Sequence, residues 1–392
     1  MRDDFSSSED QSEGPSGARD DSSQGFYVNP ILDQDFPDPA IILAPDGFYY
    51  AYATQTLRDG EWVNIQVARS SDLIDWEQLG DALPDKPDWA RTTQDFWAPS
   101  VITDGSTYYM YYSATPDACH HHQRGHALAV ATSDNPAGPF VDMGMPLLLG
   151  AGFEFIDPHA FDDPATGRHL LYWGSGFQPI RVQELGPDRM SFAPGSAPVD
   201  LIWPNGEDGG FPRLVEAAWV IHHGGFYFLF YSGDNCCGPD ADYGVMVARS
   251  EHATGPFETL EEAKGVPHSL ILFKNHRYIA PGHNCIVIDE AGDYWIVYHA
   301  IDVDRPRQTQ EDEINSRRIL LMDPIEWHDG WPWVGTPSHE PQAAPVTRAS
   351  PLLGEHRLEL LPLRLELGEQ PLVDVARAVG DDAGQEPRLG MA

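Results

Sequence analysis

The chain has 392 residues, 41% of them hydrophobic, and 61 Asp and Glu against 24 Lys and Arg leave a net charge of −37. A field of that sign repels phosphate backbones and anionic lipid, which argues against nucleic-acid or membrane partners and leaves a neutral ligand unaffected. No apolar stretch approaches the ~18–20 residues that span a bilayer, and four cysteines at this length do not make a disulfide framework.

The first residues, Met1-Arg-Asp-Asp-Phe-Ser-Ser-Ser-Glu-Asp, lack the basic and apolar regions of a secretory leader. The expected location is therefore the cytoplasm, or outside the cell if a leader was removed. Only Lys86, Lys264 and Lys274 are lysines. An acid-rich, lysine-poor balance suits a protein working in high salt, where screening removes self-repulsion. Codon usage that favours arginine is the competing explanation, and it does not account for the acid excess.

Residues 1–25 are mostly Ser, Asp, Glu and Gly, which predicts a disordered acidic tail. Order is expected from Phe26-Tyr-Val onward. From there the chain shows short β-branched or aromatic runs broken by Gly, Pro, Asn and Asp, with no sustained helical period.

Five times a glycine is followed at once by an aromatic-rich, strand-like run. These are Gly47-Phe-Tyr-Tyr-Ala-Tyr, Gly105-Ser-Thr-Tyr-Tyr-Met-Tyr-Tyr, Gly167-Arg-His-Leu-Leu-Tyr-Trp, Gly225-Phe-Tyr-Phe-Leu-Phe-Tyr and Gly292-Asp-Tyr-Trp-Ile-Val-Tyr. Their spacings of 58, 62, 58 and 67 residues suit four-stranded propeller blades. A second unit recurs within the repeats: Asn64-Ile-Gln-Val-Ala-Arg-Ser, His126-Ala-Leu-Ala-Val-Ala-Thr, Tyr243-Gly-Val-Met-Val-Ala-Arg, and more weakly Pro179-Ile-Arg-Val-Gln. Each reads as a third strand. Arg318-Ile-Leu-Leu-Met, followed by Trp327-His-Asp-Gly-Trp-Pro-Trp, is expected to complete the fifth blade. The fold class is all-β, a five-bladed β-propeller over residues 26–340. Residues 341–392 form a short C-terminal extension in which His356-Arg-Leu-Glu-Leu-Leu-Pro-Leu alternates like a strand.

Nine or ten residues before four of the glycines lie Asp38, Asp157, Glu216 and His283. Equivalent positions of a radial repeat meet at the axis, so three acids and a histidine are expected to share one pocket, with Phe96-Trp97 at that register in blade two. Singly, Asp38-Pro and Asp157-Pro are ordinary turn pairs. Glu216 is the stronger signal, because a carboxylate between Val215 and Ala217-Ala-Trp219 carries a desolvation penalty. Converging carboxyls can be divided into one that stays ionised and activates water and one held protonated as a proton donor. Glycoside hydrolysis needs that pairing. Trp97 and Phe36 are candidates for stacking on a sugar face, although aromatics that pack blades together are commoner.

Phe36-Pro-Asp38-Pro-Ala, Trp97-Ala-Pro-Ser, Ile156-Asp157-Pro, Val215-Glu216-Ala and Pro281-Gly-His283, in that order, resemble glycoside hydrolase family 43. The resemblance implies a five-bladed propeller and an inverting mechanism on arabinose-, xylose- or galactose-containing carbohydrate. It makes Asp38 the general base, Asp157 the orienting pKa modulator and Glu216 the general acid. Arg318 matches an arginine that reaches substrate in some members, with Arg317 beside it as a rival for the match. His283 matches an axial histidine that in many members joins a calcium site through water. The alternative is a satisfied core histidine. The chemistry itself requires no cofactor.

Many β-xylosidases of that family carry a further β-sandwich after the propeller, where this chain has residues 341–392. That leans toward an arabinofuranosidase or arabinanase. A β-xylosidase and a catalytically silent sugar-binding propeller are the alternatives. Cys119-His120-His121-His122 with His126 contains possible zinc ligands, but no matching pair follows at finger spacing, so it reads as a loop beside the cleft. Cys236-Cys237 reads as two reduced thiols, with a vicinal disulfide as the less favoured alternative. If the acid excess is an adaptation to salt, the folded state should melt at lower temperature as salt is withdrawn. Full stability in dilute buffer would sink that explanation.

Overall fold

The computed structural model describes residues 25–117, 125–205, 212–310 and 313–348. The acidic tail, the Cys119–His122 cluster and the alternating His356 segment lie outside the described residues. Five antiparallel sheets follow one another along the chain, each with its strands in sequence order. Blade one is Ala40–Leu43, Tyr49–Ala53, Gln66–Ser70 and Glu77–Asp81. Blade two is Trp97–Thr103, Tyr108–Ala114, Ala127–Ser133 and Val141–Asp142. Blade three is His159–Asp162, His169–Trp173, Ile180–Leu185 and Val199–Ile202. Blade four is Val215–His223, Phe226–Gly233, Gly244–Ser250 and Glu258–Thr259. The first strand of each blade touches that of the next, and the long strand Tyr278–Ile288 of blade five touches that of blade one, so the ring closes.

The glycine-aromatic repeat has a local cause. All five glycines adopt positive φ, from 72° to 95°, in the turn between a blade's first and second strands. A side chain there would meet its own carbonyl, so glycine is the residue of least cost. The aromatic run that follows is the second strand, and both of its faces are covered. Tyr50 and Tyr52 pack with Met110 and Tyr112 between blades one and two, while Tyr49 and Ala51 pack with Val297 and Met322 between blades five and one. Tyr111 meets Trp173 between blades two and three, and Tyr172 meets Tyr231 between blades three and four. Strand residues alternate sides, so a strand sandwiched between neighbours is apolar throughout.

Blade five departs from expectation. Its ladder holds Tyr278–Ile288, Tyr294–Asp302 and Ile319–Pro324, and the Trp-rich segment does not join it. Glu326–His328 and Trp331–Trp333 pair with each other as a separate hairpin, whose Trp331 is buried with Ile271 and Leu272 against blade four. The outer place is taken from the start of the fold. Ile31 and Leu32 donate to the Leu320 carbonyl at 3.0 and 3.3 Å, and Leu320 donates back to Leu32 at 3.2 Å. Residues on either side of the fold also meet at Phe26–Tyr27, which pairs with Gln342–Ala343.

Asn29 fastens this closure. Its side chain accepts from the Met322 amide at 2.9 Å, donates to the Met322 carbonyl at 2.8 Å and donates to Ser338 at 3.0 Å. Asn29→Ala should therefore lower the unfolding free energy by about 2 kcal/mol, because buried groups lose their partners. A fall in the urea midpoint at constant slope would register it.

Candidate active site

Where each blade's first strand leaves the axis, one residue takes a left-handed backbone. The five are Asp38 (φ 57°), Ala98 (49°), Asp157 (56°), Ala217 (57°) and His283 (48°). None is glycine, so each carries a local cost of roughly 1–2 kcal/mol that the surrounding bonds must outweigh. Four of these amides donate to side chains around the axis. Asp38 donates to His299 Nδ1 at 3.1 Å and Ala98 to Thr54 Oγ1 at 2.8 Å. Ala217 donates to Asp157 Oδ2 at 3.0 Å and His283 to Ser232 Oγ at 2.9 Å.

This kink is the true repeat register, and it corrects the expected one. Asp38, Asp157 and His283 sit on it, but Glu216 stands one residue ahead, as Trp97 does in blade two. His283 also lies within its strand rather than at its start, inside the register shift between Gly282 and Cys285. The side chains nonetheless converge. Asp38, Trp97, Asp157, Glu216, His283 and Arg318 line a cavity of about 300 Å³, together with Phe153, Ile156, Leu214 and Asn235. That volume is at the lower end for small-molecule sites.

Phe36 is not among them. It is fully buried in the cluster between blades five and one, with Tyr49 and Leu320, and only its backbone approaches the site by donating to the Arg318 carbonyl at 2.8 Å. It packs blades rather than facing a ligand. Trp97 does reach the cavity wall, where it stacks on His126 at 4.0 Å between ring centres.

The three carboxyls are buried to similar extents and held in different states. Asp38 Oδ1 receives Arg318 Nη1 at 2.9 Å and lies 3.3 Å from Nδ1 of both His283 and His299. Its Oδ2 receives Thr54 Oγ1 at 2.6 Å. Burial alone would raise this carboxyl, but Arg318 first and then His283 outweigh it and hold it well below the usual carboxylate range, while His299 Nδ1 takes the Asp38 amide. Asp157 lacks such a cation. Burial first, then the nearby Glu216 and Asp38, push it well above the ordinary value. Glu216 is raised too, by burial, even though Tyr243 donates to Oε1 at 2.7 Å and Ser175 to Oε2. Burial takes His283 down to about 4, so its ring is neutral at neutral pH. Arg317, the rival for the arginine match, turns away to Asp33.

Thr54, Ser175, Ser232 and His299 escaped the sequence reading, although their signal lay beside the one used. Each follows an aromatic run, seven or eight residues after the repeat glycine. Tyr243 was legible only as the first residue of a third-strand unit. Cys236 and Cys237, expected as thiols, are joined as a disulfide on the cavity wall. Their loop is held by the Asn235 carbonyl, which accepts from the Asp242 and Tyr243 amides at 3.1 Å.

Among the described residues no group of three or more His, Cys, Asp or Glu side chains is arranged to hold a metal. A calcium beside His283 would rely on water to complete its oxygen shell, and no chemical step is routed through one. No described helix is long and apolar enough to cross a membrane.

The chain is similar to known proteins in sequence and in fold. The chain is 28% identical over 314 residues to a probable arabinan endo-1,5-alpha-L-arabinosidase A of Aspergillus flavus, covering 76% of this chain and 90% of that protein. It is 27% identical to an extracellular endo-alpha-(1->5)-L-arabinanase of Thermotoga petrophila, covering 75% and 69%. The crystal structure of a thermostable family-43 glycoside hydrolase superposes with a TM-score of 0.65 at 28% identity, covering 82% of this chain and all of that one. The sequence model of Glycosyl hydrolases family 43 matches residues 27–332, and the chain belongs to that family.

Proposed function

We propose that this glycoside hydrolase cleaves arabinose-containing oligo- or polysaccharides with inversion, using Asp38 as base and Glu216 as acid. The observation that carries the reading is the opposite treatment of two buried carboxyls on one cavity: Asp38 paired with the Arg318 guanidinium and held low, Glu216 bonded by the neutral hydroxyls of Tyr243 and Ser175 and raised by burial. In the reaction Asp38 takes a proton from water, and the water oxygen bonds to the anomeric carbon. The glycosidic C–O bond breaks, its electron pair goes to the leaving oxygen, and that oxygen receives the Glu216 proton. Asp157 accepts the amide next to Glu216 and so orients the acid. Burial and the nearby Glu216 and Asp38 carboxyls raise its own proton affinity. Trp97 offers the sugar an aromatic wall, and His283 and Arg318 keep Asp38 ionised and aimed. A calcium in the channel would act on His283 alone, through water.

Arabinan is favoured because the relatives named above act on it. The Thermotoga relative is also named extracellular, which supports the secreted alternative over the cytoplasm. Linear arabinan, p-nitrophenyl α-L-arabinofuranoside and p-nitrophenyl β-D-xyloside, assayed side by side, test the substrate, and NMR of the first-formed anomer tests inversion. Asp38→Asn should cut turnover by about 10³-fold or more while leaving the melting temperature near wild type. Near-normal turnover would overturn the base assignment. A wild type as inert as Glu216→Ala, but still binding arabino-oligosaccharide, would make the protein a lectin.

The acid limb of the pH profile provides a second test. Asp38 works only when ionised, so activity is lost as pH falls through its folded pKa, which Arg318 depresses. Arg318→Gln removes the cation, so that pKa should rise and the acid limb of kcat/KM should move to higher pH. An unmoved limb would mean that Arg318 does not control the base.

A further inference from the structure

The proposed acid, Glu216, is gripped at both oxygens by hydroxyls that the division into acid, base and modulator does not use. We propose that Tyr243, assisted by Ser175, is a positioning residue that sets how readily Glu216 releases its proton. The phenol donates to Oε1 and the serine to Oε2, so both oxygens of the carboxylate left after proton transfer are already solvated by protein. The inference rests on the reading of Glu216 as the acid.

The fold goes to some length to place that phenol. Tyr243 is buried, and its ring occupies space opened by Gly282 on the neighbouring blade, where a Cβ would fall 2.1 Å from Tyr243 Cδ1. It packs with Ala280, Ile301 and Cys236. It also lies nearly parallel to His299, with ring centres 5.8 Å apart and 9° between planes. His299 in turn accepts the Asp38 amide. One ring thus stands between the support of the base and the oxygen of the acid.

The chemistry gives this contact a direction. Glu216 faces Asp38 from blade one, Asp157 from blade three, Arg318 from blade five and Tyr243 within blade four. Burial and Asp38 favour its protonated form, while the two hydroxyls and Arg318 favour the ionised form. The phenol itself stays protonated, since burial and then the Glu216 and Asp157 carboxyls push it well above its ordinary value. Its O–H therefore stays available to donate to Oε1, and that bond strengthens as negative charge develops on Glu216 during proton transfer.

The test is kcat/KM against pH for the full chain, with Tyr243→Phe, Ser175→Ala and Glu216→Gln beside wild type. An aryl pentoside and an arabino-oligosaccharide supply good and poor leaving groups. Without the phenol OH the Glu216 pKa rises, so the basic limb should move up by about one pH unit. The oligosaccharide rate should fall about tenfold, and the aryl rate much less, because a good leaving group needs little protonation. Ser175→Ala should shift the limb the same way. An unmoved limb in both hydroxyl variants, with equal losses on both substrates, overturns the proposal if Glu216→Gln removes the limb. If Glu216→Gln keeps it, Glu216 is not the acid and both readings fall.

Discussion

An ionised carboxylate nearly free of water is the constraint around which the axis of this propeller is arranged. Such a charge costs several kcal/mol unless it is paired and hydrogen-bonded. Asp38 draws its partners from two blades: Thr54 from its own, and His283, His299 and Arg318 from blade five. Blade five is also the blade completed by Ile31–Leu32 from the start of the fold. Closing the ring and seating the charge are therefore one structural event. Loosening the closure would move the arginine that keeps Asp38 ionised.

The same low-dielectric surroundings act oppositely on the other carboxyls. Without a cation bonded to them, Asp157 and Glu216 are pushed up by burial first, and then Asp157 by the Glu216 and Asp38 carboxyls and Glu216 by Asp38. Two groups of like charge thus become chemically unlike through their partners alone. The kinked backbone shared by Asp38, Ala98, Asp157, Ala217 and His283 makes this possible, because it turns side chains of five blades toward one axis. Local strain is the cost of that convergence, and amide bonds to His299, Thr54, Asp157 and Ser232 offset it.

Legibility followed how local each cause was. The glycine turns and aromatic second strands were readable because a positive φ and a strand covered on both faces each leave a mark within a few residues. Asp38, Asp157, Glu216 and His283 were found because repetition carries one position to the next blade. Glu216 was misplaced by one residue, since spacing alone does not show where the backbone kinks. Phe36 was misread because an aromatic two residues before a kink can face the cavity or the neighbouring blade, and only packing decides. The Trp327–Trp333 hairpin was taken for a blade strand because pairing partners distant in sequence leave no local trace.

The sequence by itself determined the repeat, the number of blades and the positions of three acids that reach the cavity, all properties of spacing and residue type. How far the proton affinities of these acids are driven apart was decided by the tertiary structure. That outcome depends on Arg318 lying 2.9 Å from Asp38, across 280 positions of chain, and on Tyr243 and Ser175 converging on Glu216 from different blades. Proton affinity is set by the charges and dipoles within a few ångströms, and neighbours at that range are chosen by the closed ring rather than by the order of residues.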